Sequence, residues 1–379
     1  MKLLKLQLEN FRNYKNFSCE FDKKNNFTII KGPNGQGKTN LLEAIYMLSI
    51  GKSFRVAQPS DLTLWGMDFL RVTGTVENDE ETQDLEVFYT SYPSKKKNFK
   101  KNGVNLKNSE YIGNLLTVLF QPEDLNILYL SPSLRRRYID ILLSQTDKKY
   151  LATLIKYNKS LKQRNVLLDE IRKAKFNNKN LQPLFKDLSA WNDELIEFGS
   201  LITEKRLELV KFFSEKLENF YQSISGKKEK ISVKYKSKVV NEKDAFPLNK
   251  ISFISQAYTD AMIQSEERDI MQAKTTVGPH RDDLVFFIDK KEITSVASRG
   301  EFRTLLLAIK LVEIEFIKEK TGSSPMLLLD DVFSELDKTR QEKLLKSIKN
   351  CQTIIATTDM DNLGELAATS AFIELEKKA

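Results

Sequence analysis

Gly32-Pro33-Asn34-Gly35-Gln36-Gly37-Lys38-Thr39 matches the phosphate-binding pattern G-x-x-x-x-G-K-[ST]. Glycines at this spacing let backbone N–H groups turn inward around the α- and β-phosphates of a nucleotide. A lysine at position 38 reaches the β- and γ-phosphates, and the Thr39 hydroxyl can ligate Mg²⁺. The flanks agree with that chemistry. Phe27 to Lys31 reads as a short strand, and Thr39 to Ile50 reads as a helix with Leu41, Ile45 and Leu48 on one face and Gly51 near its end. That helix aims its N-terminus at the same anion. Strand, loop and helix in this order predict an α/β core that binds ATP, with Asn40 in the helix's first turn beside the loop.

Further strands read outward from the loop. Leu4, Leu6 and Leu8 alternate with polar residues, as do parts of Asn16 to Phe21, and strand texture returns from Leu70 to Phe99. Near residue 130 it gives way to helix. Leu154, Leu161 and Leu168 fall seven apart with Arg164 interrupting the stripe; after a polar break from Lys173 to Pro183, Leu188, Leu195, Ile202 and Leu209 repeat the spacing. Two long amphipathic helices predict either an antiparallel hairpin projecting as an arm or an ordinary helical domain. The α/β pattern resumes with apolar Leu284 to Ile288, a helix marked by Phe302, Leu305, Ile309, Val312 and Phe316, and two all-apolar runs suited to buried parallel strands, Met326 to Leu329 and Thr353 to Ala356. The expected organisation is a head made from 1–129 plus 273–379, interrupted by a helical insertion at 130–272.

Composition bounds the function. The 379 residues carry 60 Lys and Arg against 52 Asp and Glu, a net charge of +8 that leans towards a polyanionic partner. Cys19 and Cys351 stand alone, which argues against a disulfide framework or a zinc site. Lysines interrupt the first residues, and apolar runs fall short of the roughly 18–20 residues that span a bilayer, so a cytoplasmic protein with no membrane partner is expected.

A phosphate-binding loop needs a carboxylate for its metal. The apolar run ending at Leu329 is followed by Asp330, placed for Mg²⁺, and Asp331, free to orient or deprotonate water. Ser298-Arg299-Gly300-Glu301 opens the preceding helix. Ser298 and Glu301 make a capping box, and the same exposed helix N-terminus can bind a phosphate.

The set of motifs resembles the RecF family, ABC-type ATPases of the SMC-like group. The resemblance is carried by GPNGQGKTNLLEAI (32–45), ASRGEFRTLLLAIKLVE (297–313), LLLDDVFSELD (327–337), LENFRNY (8–14), FQPEDL (120–125), RRRYIDILLSQ (135–145) and GPHRDDL (278–284), in the family's order. It implies an ABC-type head, a mixed β-sheet with a P-loop core, carrying an inserted, mainly helical arm domain. It also implies a homodimer around two ATP molecules, in which Ser298, Gly300 and Glu301 of one subunit face the nucleotide held by the other. Asp337 would lie in the loop along the dimer seam. Gln121 would sense Mg²⁺ and the attacking water, and Arg12 and Asn13 would lie near the nucleotide. Lys38, Asp331 and Gln121 are the expected catalytic residues. The family further implies duplex or gapped DNA as ligand, with single-stranded DNA as an alternative, RecR and RecO as partners, and loading of RecA.

The chain departs from transporter ATPases in its Asp330–Asp331 pair and in Thr358, where a switch histidine would stand; these features predict slow, switch-like hydrolysis. The single histidine, His280, is either structural or a nucleotide contact. Lys95–Lys97 with Lys100 and Lys101, Arg135–Arg137, and Lys227, Lys228 and Lys230 are candidate phosphate contacts for DNA, although each such cluster is more often a solvated face. A transporter subunit, a chromosome-organising SMC protein and a nuclease-linked ATPase are the competing readings.

Overall fold

The structure is a computed structural model and describes residues 1–78, 81–178, 180–240, 250–357 and 363–375. Two compact units share the chain. The first comprises Met1–Leu125, Asn219–Lys228 and Ser298–Ala379, the second Asn126–Glu218 and Glu229–Ala297.

The first unit holds two sheets. One is antiparallel, in the order β2-β1-β4-β5-β6-β7, from β1 (Lys2–Phe11), β2 (Tyr14–Glu20), β4 (Phe69–Asn78), β5 (Glu81–Thr90), β6 (Lys96–Lys101) and β7 (Val104–Leu106). The other is wholly parallel, in the order β14-β3-β13-β12-β8, from β3 (Phe27–Lys31), β8 (Thr117–Phe120), β12 (Met326–Asp330), β13 (Thr353–Ala356) and β14 (Ala371–Glu374). Its central strands are buried on both faces, which is why they read as unbroken apolar runs rather than alternating ones.

The Lys38–Ile50 helix packs on strands of both sheets. The sequence predicts one apolar stripe, but Leu42 and Met47 are as fully buried as Leu41, Ile45 and Leu48. A helix covered by two sheets has no solvent face, so the stripe was too narrow an expectation. Its approach to β4 depends on Gly74, where an added Cβ would meet Leu48 Cδ2 at 2.4 Å.

In the second unit Asp147 caps the Lys148–Phe176 helix, accepting from the backbone of Lys149 and Tyr150 at 2.8 and 3.0 Å. That helix runs through Lys173, Ala174 and Lys175, all good helix formers, and stops at Asn178 in the left-handed region. The polar break is therefore shorter than expected. The next helix, Gln182–Ser225, and a third, Lys250–Gln272, join the first around a core of Leu167, Leu168, Ile171, Leu188 and Ile270. A third helix thus packs on the predicted pair.

The expected return to the head at residue 273 needs correction. Leu284–Ile288 falls in β10 (Asp283–Ile288), which pairs antiparallel with β9 (Ile231–Lys236) and with β11 (Lys291–Glu292) in a three-stranded sheet of the second unit. The first unit resumes only at Ser298.

Candidate nucleotide site

Because the five-stranded sheet is wholly parallel, its strands end at one edge, where ligands of open α/β sheets collect. The register brings Ile30, Ala356 and Asp330 level, with Leu329 opposite Phe120. The loop after β3, the two acids after Leu329 and Gln121 after β8 thus meet at one rim. Thr358, expected after β13, lies outside the described residues.

The loop is braced from the β1–β2 hairpin. Asn13 donates to the Gln36 carbonyl at 2.9 Å, Tyr14 donates to the Gly37 carbonyl at 3.1 Å, and Asn40 donates to the Asn13 side chain at 2.9 Å. Gly37 has φ +108°, and a Cβ there would lie 2.7–2.8 Å from the Asn13 amide and the Tyr14 hydroxyl, so the position admits only glycine. Lys38 Nζ donates to the carbonyls of Gly32 and Pro33 at 2.6 and 3.0 Å, while Pro33, Asn34 and Gly35 are exposed. Burial pulls the Lys38 pKa down, opposed by the charges of Asp331 and Asp330. An ammonium held only by neutral carbonyls and facing acids is arranged to take an anion.

Thr39 Oγ1 donates to Asp330 Oδ1 at 2.9 Å. Burial pushes the Asp330 pKa up to about 6, against the Thr39 hydrogen bond, with Glu123 adding to the rise. Asp331 sits in the left-handed region at φ 50°, and its Oδ1 is buried without a hydrogen-bond partner. Left-handed backbone and an orphaned carboxylate oxygen thus fall together on one acid at the rim of the sheet. The hydroxyl of Thr39 beside two carboxylates fits a hard, oxygen-preferring cation such as Mg²⁺. Among the described residues no cluster of three or more His, Cys, Asp or Glu side chains could hold a metal alone.

Gln121 Nε2 donates to Asp124 Oδ1 at 3.3 Å, and Asp124 is held by Lys310 at 3.2 Å. Lys310 lies on the Arg299–Thr321 helix, also pairs with Glu313 at 3.4 Å, and stands 5.8 Å over the Phe120 ring. The Gln121 side chain is therefore tied to the helix that Ser298 begins. Sequence reading missed Asp124 and Lys310, although a lysine within Leu307-Ala308-Ile309-Lys310-Leu311-Val312 was a signal of a buried partner. It also missed Glu43, fully buried, which accepts both Arg12 Nε at 2.8 Å and a terminal Arg12 nitrogen at 3.0 Å. Arg12 is thus anchored to the Lys38–Ile50 helix and to the Asp61 carbonyl at 2.9 Å.

Ser298 caps its helix. Its hydroxyl accepts from Glu301 N at 3.3 Å, and Glu301 Oε2 accepts from Ser298 N and Oγ at 2.8 and 2.9 Å. Glu301 also pairs with Lys227 at 3.3 Å. Ser298 and Arg299 are exposed, and open space surrounds the position of a Gly300 Cβ. Asp337 caps the Lys338–Ile348 helix, accepting from Arg340 N at 2.9 Å.

The basic clusters separate. Arg135 forms a two-pronged pair with Asp283 at 2.7 and 2.9 Å and donates to the Ile127 and Leu130 carbonyls, so it is a structural clamp. Arg136 donates to the Asp282 carbonyl at 2.8 Å. Lys97 is engaged with the Gly51 carbonyl and the Phe99 ring, and burial pushes its pKa down to about 8. Lys100 pairs with Glu86 and Lys101 donates to Asn114, whereas Lys95 and Lys96 are exposed.

The chain as a whole resembles known proteins. Residues 2–378 match the family model described as RecF/RecN/SMC N terminal domain. A DNA replication and repair protein RecF from Halalkalibacterium halodurans is 39% identical over 98% of this chain and 97% of its own length. One from Oenococcus oeni is 40% identical over 96% and 94%. The chain belongs to the RecF family. A solved RecF, described as the recombination mediator protein RecF-ATPrS in the RecFOR pathway, superposes with a TM-score of 0.85 at 34% identity, covering 95% of this chain and 93% of that one. An SMC head domain from Pyrococcus furiosus, at 18% identity and a TM-score of 0.52, shares the fold alone.

His280, in the second unit, contacts Tyr157 OH through Nδ1 at 2.7 Å and the Thr275 carbonyl through Nε2 at 3.1 Å. Burial pushes its pKa down to about 4, partly offset by the Thr275 hydrogen bond and reinforced by Arg281, Arg136 and Arg206. Between pH 6.5 and 4 the unfolded chain binds the proton that the folded one refuses. The contribution of His280 to stability is thus complete above pH 6.5 and lost as pH falls towards 4. As the chain's single histidine it gives one resolved ring signal. A proton NMR titration should place its midpoint within a unit of 4; a midpoint near 6.5 would contradict the buried, doubly engaged ring.

Proposed function

We propose that the chain is an ATP-dependent DNA-binding switch of recombinational repair and replication-fork maintenance. Thr39 and Asp330 hold Mg²⁺ and Lys38 the β/γ-phosphates, Asp331 orients or deprotonates water, and Gln121 reports on both. Mg²⁺, when bound, neutralises the charge that develops on the phosphates. Ser298 and Gly300 complete the site of a second subunit. ATP closes the dimer on duplex or gapped DNA near single-strand/double-strand junctions, and slow hydrolysis releases it. By the names of its relatives the chain takes part in DNA replication and repair; with RecR and RecO it promotes RecA loading.

The observation that carries the reading is the division of the ATPase parts. The loop, Asp330 and Asp331 converge within one chain, whereas Ser298 and Gly300 open a helix whose N-terminus is exposed and sterically free. Among the described residues no helix is long and apolar enough to cross a membrane.

The test is fluorescence anisotropy of labelled gapped duplex DNA with ATP, ADP or no nucleotide, with light scattering on the same samples. ATP alone is expected to produce both dimer and DNA complex. Ser298→Arg, on the exposed helix start, is expected to keep ATP binding within about threefold while losing dimer and complex together. DNA binding indifferent to nucleotide would overturn the switch, and full dimerisation of Ser298→Arg would overturn the shared site.

A further inference from the structure

The sheet of the second unit carries a basic face that the sequence reading did not single out. Along β9 the side chains alternate, with Ile231, Val233 and Tyr235 buried and Lys234 and Lys236 exposed. Lys238, just beyond the strand's end, is exposed as well. Cross-strand pairing sets Lys234 opposite Val285 and Ser232 opposite Phe287. Lys234, Lys236, Lys238, Val285, Phe287 and Glu292 line a groove of about 660 Å³.

Charge on this face is not cancelled from within. Among the described residues no carboxylate is paired with Lys234, Lys236 or Lys238. Asp283, opposite Lys236, already has both oxygens on Arg135. Glu292, at the far side of the groove, accepts from the Thr294 hydroxyl at 3.0 Å. Same-face residues on a strand repeat every two positions, about 6.7 Å. Phosphates on one strand of duplex DNA rise about 3.4 Å per base pair and also turn about the axis, which sets neighbours about 7 Å apart, so Lys234 and Lys236 are spaced for successive phosphates.

From this register we propose that the exposed face of β9 is a phosphate-backbone contact for duplex DNA, made by Lys234, Lys236 and Lys238. The inference rests on the DNA-binding reading above and assigns it a surface. Duplex is favoured over single strand because the groove offers no free stacking platform. Of its two aromatic residues, Tyr235 is buried with its hydroxyl on Asp282, and Phe287 is half-buried and already lies under Lys234 Nζ at 5.1 Å. The contact is independent of base sequence, since nothing in the groove reads base edges. Lysines on an edge strand also discourage sheet-to-sheet pairing. That role alone predicts a variant that aggregates but binds DNA unchanged.

The experiment compares wild type with the triple variant Lys234→Gln, Lys236→Gln, Lys238→Gln on the same duplex, with ATP, from 50 to 300 mM salt. Each lost phosphate contact lowers the slope of log K against log salt by about 0.9. The triple variant should lose about 2–3 units of slope while ATP binding and ATP-driven dimerisation stay unchanged. Glu292→Lys should raise the slope by up to about one unit. An unchanged slope in the triple variant, with wild type binding normally, overturns this surface alone. A wild type that binds no DNA overturns the DNA reading and the surface with it. A loss larger for single-stranded than for duplex DNA overturns the assignment to duplex.

Discussion

Lys38→Met should reduce ATP turnover at least about 100-fold and abolish every response of the protein to ATP. The Lys38 ammonium donates only to the Gly32 and Pro33 carbonyls, faces the charges of Asp331 and Asp330, and is depressed in pKa by burial. A phosphate would offer it charge-assisted hydrogen bonds worth about 1.5–3 kcal/mol each, and two of these correspond to two or more powers of ten. Methionine fills much the same space with no charge and no donor, so the loop keeps its shape and loses its grip on the γ-phosphate. Stability should hold or rise slightly, because a partly desolvated charge is removed. Phosphate release under saturating ATP and thermal unfolding, measured together, separate the two effects. Turnover within threefold of wild type would remove Lys38 from the site; a collapse in thermal stability would show that the lysine's role is structural.

The nucleotide half of this site was legible because its chemistry is written over short stretches. Eight consecutive residues specify the loop, and an apolar strand ending in Asp330 specifies the metal side. The parallel sheet then has little freedom in where it puts them. Arg135, Lys97 and β10 were not legible, for a shared reason. Whether a basic residue is a clamp or a free phosphate contact depends on the partner folding brings to it. Arg135 finds Asp283 148 positions away. Lys97 is occupied by Gly51 and Phe99, and nothing in Lys95-Lys96-Lys97 distinguishes it from its exposed neighbours. Leu284 to Ile288 is apolar enough for either unit; its antiparallel partner β9 decides, and a six-residue strand after a long helix gives little signal of its own. The lysines of β9 escaped attention because they alternate with apolar residues instead of clustering.

Arg164 is the sharpest case of information absent from local sequence, and it carries the largest expected effect on stability. In the heptad pattern it merely interrupts a leucine stripe. In the structure its side chain and that of Asp269 are both fully buried, joined at 2.8 Å across 105 residues. Arg164 Nε also donates to Asn192 at 2.7 Å and a terminal nitrogen to Thr275 Oγ1 at 2.8 Å, while Asp269 Oδ1 accepts from Thr276 N and Oγ1 at 3.0 and 2.6 Å. One ion pair thereby links three helices and the segment that leads to β10. Removing one partner strands a charge in a dry interior, which costs about 3–5 kcal/mol, whereas replacing both by apolar residues of similar volume is often near neutral. Asp269→Ala should therefore destabilise the second unit by about 3–5 kcal/mol, and Arg164→Met with Asp269→Leu should recover much of the loss. Trp191 packs on the adjacent Leu167–Ile270 core and reports the transition directly once Trp65, which is 91% exposed, is changed to phenylalanine. Urea unfolding of the single and double variants in that background gives the coupling. A loss under about 1 kcal/mol for Asp269→Ala would mean that Thr275 and Asn192, still bonded to Arg164, hold these helices without the ion pair.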